Sequence, residues 1–261
     1  MKELNGRELV GYIKERQAKQ VRQLLANKVH PKLTIFYDND SPVIATYMRL
    51  KNHYGEDIQI EVNTQKISAT DAEAKLKAAA EDKSVHGIIV QLPLSECDID
   101  ILKLIPREKD VDGLCGESDT ATAMAIHWLL TGYDIELRQG RKLAIVGQGR
   151  LVGAPLTRMW RESGYDVTTF DKGDDLNLLI NYDVIVTATV VPGLITNKMV
   201  KSGATVVDAG TASEGGVIKG DLADEVRERN DVVMTPKIGG VGPLTVAMLF
   251  EQVIKAAKGL L

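Results

Sequence analysis

The sequence predicts an α/β protein of two α/β domains, with a Rossmann-type parallel sheet in the second. Three observations predict it. The first ninety residues alternate short apolar runs with helix-spaced stretches, the pattern of a parallel sheet covered by helices. A second alternation opens at Lys142 with Leu143-Ala-Ile-Val146, a glycine turn and another helix-spaced run. A stretch from about Asp119 to Thr131 reads as a helix linking the two. The expected division is 1–118 with a C-terminal helix 243–261 as one domain, and 119–242 as the other.

Residues 1–30 read as a helix with a basic outer face (Lys14, Arg16, Lys19, Arg22), the ordinary look of a solvated surface, and Pro31 stops it. Lys32–Tyr37 is a short apolar strand. Asp38-Asn-Asp-Ser-Pro42 has turn and helix-start chemistry, and the helix from about Val43 to Tyr54 is expected to end at Gly55. Asp57–Val62 alternates as a strand, Ala69–Lys83 is a helix rich in alanine, lysine and glutamate, and Gly87–Leu92 is a buried strand. A short helix Asp98–Leu104 and a loop from Pro106 to Ser118 follow.

In the second half, Leu143–Val146 reads as a buried strand and Leu151–Gly164 as a helix. Further strands are expected at Tyr165–Phe170, Val184–Thr187, Ala204–Asp208 and Val232–Met234. Thr235–Pro243 is a glycine-dense loop, and Leu244–Lys258 is an amphipathic helix expected to pack back on the first domain.

Gly147, Gly149 and Gly153 are spaced G-x-G-x-x-x-G around Gln148 and Arg150, one residue longer than the common dinucleotide fingerprint. Strand, glycine turn and helix start suit a pyrophosphate, because the backbone approaches closely and the helix offers unpaired N–H groups. A glycine-rich turn in another parallel sheet would read the same way. Asp171 closes the next strand, 24 positions after Gly147, where an acidic residue binds the ribose hydroxyls of NAD and repels the extra phosphate of NADP. Lys172 softens that repulsion. NAD is favoured, and NADP stays open.

Bulk properties remove several classes. With 261 residues, 26% charged and a net charge of −4, the chain has no basic footprint for nucleic acid. It has no signal pattern and no apolar run long enough to span a bilayer. Cys97 and Cys115 make neither a disulfide framework nor metal-ligand spacing, which fits the reducing cytoplasm. The four histidines (His30, His53, His86, His127) are scattered without ligand spacing, so no metal is expected.

Four stretches fall where open α/β sheets bind ligands, beyond the carboxyl ends of strands. Tyr47 and Lys51, four apart, share a helix face. Gln91 ends a buried strand within Val90-Gln-Leu-Pro-Leu94; Lys109-Asp-Val-Asp-Gly113 puts two carboxylates in a turn; Gly239-Gly-Val-Gly-Pro243 precedes the last helix. Each has a plain reading alone: a chance pair, a sheet cap, turn acidity, loop punctuation.

Taken together and in order, these motifs and the nucleotide loop resemble the bifunctional methylenetetrahydrofolate dehydrogenase/methenyltetrahydrofolate cyclohydrolase family, from about Tyr47 to Lys258. The resemblance implies a substrate cleft between the two domains and, within it, oxidation of methylenetetrahydrofolate with NAD(P), then hydrolysis to formyltetrahydrofolate, in the one-carbon metabolism that feeds purine biosynthesis. It implies Lys51 as the catalytic lysine, Gln91 as its tuning partner, Tyr47 as the aromatic under the folate's aminobenzoate, and Asp112 as the carboxylate for the pterin N–H groups. Val90, Leu92 and the segment Gly239, Gly240, Val241, Gly242 and Pro243 would line the tetrahydrofolate substrate. Gly147, Gln148, Gly149, Arg150, Gly153, Asp171, Lys172 and Thr211 would meet the cofactor, and a homodimer formed through the nucleotide domain is implied.

The sequence also departs from that family. Its usual serine three residues before the tyrosine is Ile44 here. Its Gly-Arg-Ser nucleotide-loop start is Gly147-Gln-Gly149, without the arginine and serine that favour NADP. Ala121-Thr-Ala123 replaces a Pro-Cys-Thr-Pro segment, and Lys237-Ile-Gly-Gly240 replaces Val-Pro-Gly-Gly. A short-chain dehydrogenase shares Tyr-x-x-x-Lys, but there the pair follows the nucleotide segment, whereas here it precedes it by about a hundred positions. A monofunctional NAD-dependent methylenetetrahydrofolate dehydrogenase and a non-catalytic folate- or nucleotide-binding regulator remain as alternatives.

Overall fold

The computed structural model describes residues 3–116, 118–210, 212–214 and 217–261. The chain divides into two compact units, Gly11–Ala121 with Val246–Leu261, and Met1–Val10 with Thr122–Thr245.

The first of these contains α1 (Gly6–Ala26, from Gly11 on), β1 (Lys32–Tyr37), α2 (Pro42–Ile58), β2 (Glu61–Lys66), α3 (Ala72–Glu81) and β3 (Gly87–Val90). The three strands are parallel in the order β2-β1-β3. Leu33, Ile35 and Phe36 on β1 and Ile88 on β3 are fully buried, each stabilising the fold by roughly 1.5–3 kcal/mol. The edge strand β2 carries the polar residues Asn63, Thr64 and Gln65 and stays partly exposed.

α2 starts cleanly, with the Ser41 hydroxyl accepting from the Ile44 N–H at 3.3 Å and Pro42 in the first turn. Its end corrects the sequence expectation. The helix runs through Gly55 to Ile58 and stops at Gln59, which takes the left-handed conformation (φ 63°). Gly55 is required by close approach, because a Cβ there would lie 2.5 Å from Val62 Cγ2 and 3.0 Å from the Ile60 carbonyl oxygen. The Ile58-x-Ile60 alternation therefore belongs to the helix end and its turn, and β2 begins at Glu61 rather than Asp57. The first helix is likewise shorter than residues 1–30, and Ile99–Leu104 is a 3₁₀ helix capped by the Asp98 carboxylate.

The second unit contains α4 (Ala121–Gly132, from Thr122 on), β4 (Leu143–Val146), α5 (Gly153–Glu162), β5 (Val167–Phe170), β6 (Val184–Thr187), β7 (Thr205–Asp208), the antiparallel hairpin of β8 (Ala212–Glu214) and β9 (Val217–Lys219), α6 (Asp224–Arg227) and β10 (Val233–Met234). Its five-stranded sheet is parallel, in the order β10-β7-β6-β4-β5. The hairpin and α6 have no counterpart in the sequence expectation, being too short to show periodicity. Residues of the amino terminus join this unit: Glu3 bridges to Met234, the Leu4 N–H donates to the Met234 carbonyl at 2.9 Å, and Leu4 is fully buried. A helix-spaced run cannot say which core the residues before it enter.

The last helix, α7 (Val241–Ala257), takes Val241, Gly242 and Pro243 into its first turn, so the glycine-dense loop ends at Gly240 and not at Pro243. Proline fits there because a first-turn N–H has no helical partner to lose. From Val246 on, α7 belongs to the unit of β1, where Phe250 stacks on Tyr54 at 5.1 Å and the buried Gln17 donates to the Ala247 carbonyl at 2.9 Å. Among the described residues, no helix is long and apolar enough to cross a membrane.

Candidate active site

In the first unit, β1 has β2 on one side and β3 on the other. The carboxyl ends of β1 and β3 thus frame a topological switch point, where open sheets hold ligands. Gln91 is the first residue past β3, and its N–H extends the ladder to the Phe36 carbonyl at 2.7 Å. α2 presents Lys51 beside it, with Lys51 Nζ donating to Gln91 Oε1 at 2.8 Å. Gln91 Nε2 donates to its neighbour's Leu92 carbonyl at 2.9 Å. The amide orientation follows from chemistry, since an amine facing an amide needs the oxygen end as acceptor.

Burial pushes the Lys51 ammonium below its ordinary pKa, and the Asp112 carboxylate pulls it partly back. For Asp112 the same burial works upward. Its carboxyl is raised to about 6, with Lys51 and a bond from the Ala121 N–H opposing the rise and Asp110 adding to it. The two aspartates of the Lys109–Gly113 run are therefore separable. Asp110 is buried and its oxygens accept the Leu114 and Cys115 N–H groups, each at 2.9 Å, so it builds the turn. Asp112 is the one electrostatically coupled to the lysine.

Tyr47 lies one helical turn before Lys51 and is 39% exposed, leaving an aromatic face available for stacking. Val90 is different: its side chain is packed into the core cluster around Phe36 and Leu76, while Leu92 is partly buried at the edge of that cluster. Ile44 is also core, so nothing polar replaces the hydroxyl that the family pattern would place there. The unit thus brings together a half-buried amine, an amide, a carboxylate with a raised pKa and an aromatic ring. That set can hold a flat, hydrogen-bonding heterocycle and move a proton beside it.

The second unit is built for a different ligand. Its switch point lies between β4 and β6, the chain having gone to β5 on one side before returning to β6 on the other. Gly147 follows β4 with φ +88°, and a Cβ on it would lie 2.9 Å from the Ala188 carbonyl oxygen after β6. Gly153 opens α5, and its Cβ would sit 1.7 Å from the Gly147 carbonyl oxygen. Gly149 has open space around it, so packing gives no reason for a glycine there. Val152, the residue before α5, makes no side-chain cap, and the turn satisfies the helix start from its own backbone, the Ala154 N–H donating to the Gly149 carbonyl at 3.2 Å. Gln148 turns inward, its Oε1 accepting from the Thr157 hydroxyl at 3.1 Å, whereas Arg150 is exposed.

Asp171 stands immediately past β5, exposed, with Oδ1 accepting the Lys172 N–H at 2.9 Å. Thr211 lies outside the described residues. Gly239 (φ +99°) and Gly240 close the loop before α7; a Cβ on Gly6 would meet the Gly240 carbonyl oxygen at 1.9 Å, so the amino-terminal segment lies directly on this loop. Lys237 is exposed, 4.0 Å from Asp224.

Sequence reasoning missed Asp221. It is buried, its Oδ2 accepts the Thr187 hydroxyl at 2.5 Å and the Thr189 N–H at 2.8 Å, and it thereby sets the loop that abuts Gly147. Only tertiary structure brings it to β6, 34 positions away in sequence.

Comparison with known proteins bears on both units. The family model described as tetrahydrofolate dehydrogenase/cyclohydrolase, catalytic domain, matches residues 4–112, and the one described as tetrahydrofolate dehydrogenase/cyclohydrolase, NAD(P)-binding domain, matches residues 120–260. The bifunctional protein FolD of Macrococcus caseolyticus is 33% identical over 278 residues, covering 98% of each chain. The crystal structure of the bifunctional FolD methylenetetrahydrofolate dehydrogenase/cyclohydrolase from Campylobacter jejuni is 34% identical, with a TM-score of 0.92 over 100% of both chains. The FolD of Trypanosoma brucei, solved with NADP cofactor and inhibitor, is 27% identical with a TM-score of 0.87, covering 98% of this chain and 96% of that one.

Proposed function

The chain belongs to the tetrahydrofolate dehydrogenase/cyclohydrolase family, and from that premise we propose that Lys51, Gln91 and Asp112 form the chemical centre for its two reactions. It is a bifunctional enzyme of one-carbon metabolism, a methylenetetrahydrofolate dehydrogenase and a methenyltetrahydrofolate cyclohydrolase. The observation that carries the residue assignment is the 2.8 Å contact between a half-buried lysine of depressed pKa and an amide oxygen at the end of β3.

A bound nicotinamide nucleotide supplies the hydride acceptor for the first reaction. The glycine turn, the start of α5 and Asp171 fit such a dinucleotide. The substrate-side residues have an orienting task in that step, because hydride loss from the one-carbon bridge needs alignment more than an acid or base. Tyr47 stacks on the aminobenzoate, and Asp112 accepts from the pterin amino and ring N–H groups, which requires its charged form. In the second reaction water adds to the methenyl carbon, Lys51 in its neutral form takes the water's proton, and the ring opens to the formyl product. Gln91 holds the amine by its oxygen throughout. The positive methenyl carbon and the burial of Lys51 act in the same direction, favouring the free base.

The test is an assay of both activities on the purified protein, methylenetetrahydrofolate-dependent reduction of NAD or NADP and hydrolysis of methenyltetrahydrofolate. Hydride transfer without formyl product would favour a monofunctional dehydrogenase. Binding of both ligands without turnover would favour a regulator.

The partnership of Lys51 and Asp112 gives a pH prediction with a definite sign. The Asp112 charge raises the lysine's pKa, so Asp112→Asn lowers it and moves the rising limb of the hydrolysis rate to lower pH. A pH–rate profile at saturating folate measures this, and a shift to higher pH would sink the coupling.

For the cofactor, Asp171 beyond β5 and the inward-turned Gln148 support NAD over NADP. Unmodified protein is expected to reduce NAD faster, and Asp171→Ser to improve the NADP-to-NAD ratio about tenfold by removing one like charge near the 2′-phosphate. Equal or better rates with NADP in the unmodified protein would remove the preference. We place the enzyme in the cytoplasm, a location supported by its two free cysteines. We also propose a homodimer through the nucleotide-binding unit, where Leu178 and Ile180 are exposed.

A further inference from the structure

The turn between β1 and α2 contains a carboxylate that the reactions do not use. Asp38, the first residue after β1, is 1% exposed. Its Oδ2 accepts three backbone N–H groups in a row, from Ser95 and Glu96 at 2.7 Å each and from Cys97 at 3.0 Å. Its Oδ1 accepts from the Ser95 hydroxyl at 3.3 Å and from Asn39 Nδ2 at 3.2 Å. Asn39 Nδ2 also donates to the Pro93 carbonyl at 2.9 Å, and Asn39 Oδ1 accepts the Ser41 N–H at 3.2 Å.

These bonds join two segments distant in sequence. One is the Asp38–Ser41 turn that launches α2 and hence Lys51. The other is the Gln91–Cys97 loop, whose first residue is the lysine's partner. Lys51 and Gln91 make one hydrogen bond, whereas the Asp38 side chain makes four across the two segments and Asn39 adds a fifth to the Pro93 carbonyl. A carboxylate that neutralises successive backbone N–H groups forms strong, charge-assisted bonds. Removing it leaves those donors to be satisfied by water or left unpaired.

Resting on the assignment of Lys51 and Gln91 above, we propose that Asp38 is a positioning residue for hydrolysis: it fixes the Gln91–Cys97 loop against the start of α2 and so holds the amide oxygen of Gln91 on Lys51. It touches neither reacting atoms nor the amine and acts through Gln91. The dehydrogenase step, which uses alignment of the folate and not the lysine base, depends on it less.

The experiment is a double-mutant cycle with both activities measured on folded, purified enzyme. Gln91→Ala alone tests the underlying assignment, and loss of hydrolysis is expected from it. Asp38→Ala is expected to lower kcat for hydrolysis about tenfold or more by misplacing the pair, with KM for methenyltetrahydrofolate changed by less than about threefold and hydride transfer by less than about threefold. In the Gln91→Ala background, Asp38→Ala should add little, because its route of action is already gone. Asp38→Asn keeps one acceptor oxygen for the three N–H groups and should restore a large part of the rate; it also serves if the alanine variant does not fold.

Equal losses of both activities in Asp38→Ala, or in Asp38→Asn if only that variant folds, would overturn the proposal. So would full additivity of Asp38→Ala with Gln91→Ala, an unchanged hydrolysis rate in Asp38→Ala, or, if only Asp38→Asn folds, a hydrolysis rate in it no lower than that of the unmodified enzyme. If Gln91→Ala itself left hydrolysis intact, the Lys51–Gln91 assignment would fail first, and the cycle would show it separately.

Discussion

Replacing Lys51 by alanine is expected to lower methenyltetrahydrofolate hydrolysis by about 10²–10⁴-fold, the range that a positioned general base contributes, while hydride transfer at saturating folate keeps most of its rate. The split follows from the chemistry, since only hydrolysis has a water proton to remove. The electrostatics add a second, quieter effect. Asp112 already sits at about 6 with the Lys51 charge holding it down. Without the amine its pKa rises, so near neutral pH more of it is protonated and unable to accept from the pterin. The folate KM of Lys51→Ala should therefore worsen at neutral pH and improve as pH rises. Lys51→Arg separates the two roles. It keeps a positive charge beside Asp112 but cannot deprotonate, so it should bind folate well and hydrolyse poorly. Rates and KM values for both activities across pH provide the check, and Lys51→Ala with undiminished hydrolysis would refute the assigned base.

The second large effect is expected at Gly153. A methyl group there would lie 1.7 Å from the Gly147 carbonyl oxygen and 2.8 Å from its carbon, both backbone atoms that cannot swing aside. Gly153→Ala must displace either the glycine turn or the start of α5. It is expected to cost about 3 kcal/mol or more, a fall of roughly 6–12 °C in Tm for a chain of this size, together with loss of dinucleotide binding. Gly149→Ala is the informative control. No atom lies within 4 Å of a Cβ at Gly149 and its φ is not in the left-handed region, so Tm should move by less than about 2 °C. Cofactor affinity should still fall, because the methyl group occupies the space through which a pyrophosphate reaches the backbone. Thermal denaturation with and without NAD distinguishes the two glycines, and a stable, cofactor-binding Gly153→Ala would contradict the packing argument.

Amino-acid order alone determined the α/β class and the strands at Lys32–Tyr37, Leu143–Val146 and Val184–Thr187, and the order of its motifs carried the family resemblance that named Lys51, Gln91 and Asp112 as candidates. The strands are local features, apolar runs of strand length; the candidates came from several short motifs in one order, none of which points to them alone. Tertiary structure decided the rest, for stated reasons. Gly55 looks like a helix stop in sequence and is a packing requirement in space, because what demands it is Val62 on the next strand. Turn chemistry alone does not separate Asp110 from Asp112, which only the resemblance singled out; the physical difference is tertiary, the N–H groups of Leu114 and Cys115 claiming the first while the Lys51 amine couples to the second. Asp38 reads as an ordinary turn residue until β1 and β3 are laid side by side and three N–H groups from 57 to 59 positions away converge on it. Periodicity records which way a side chain faces along its own element; it holds no record of the partner that folding brings to meet it.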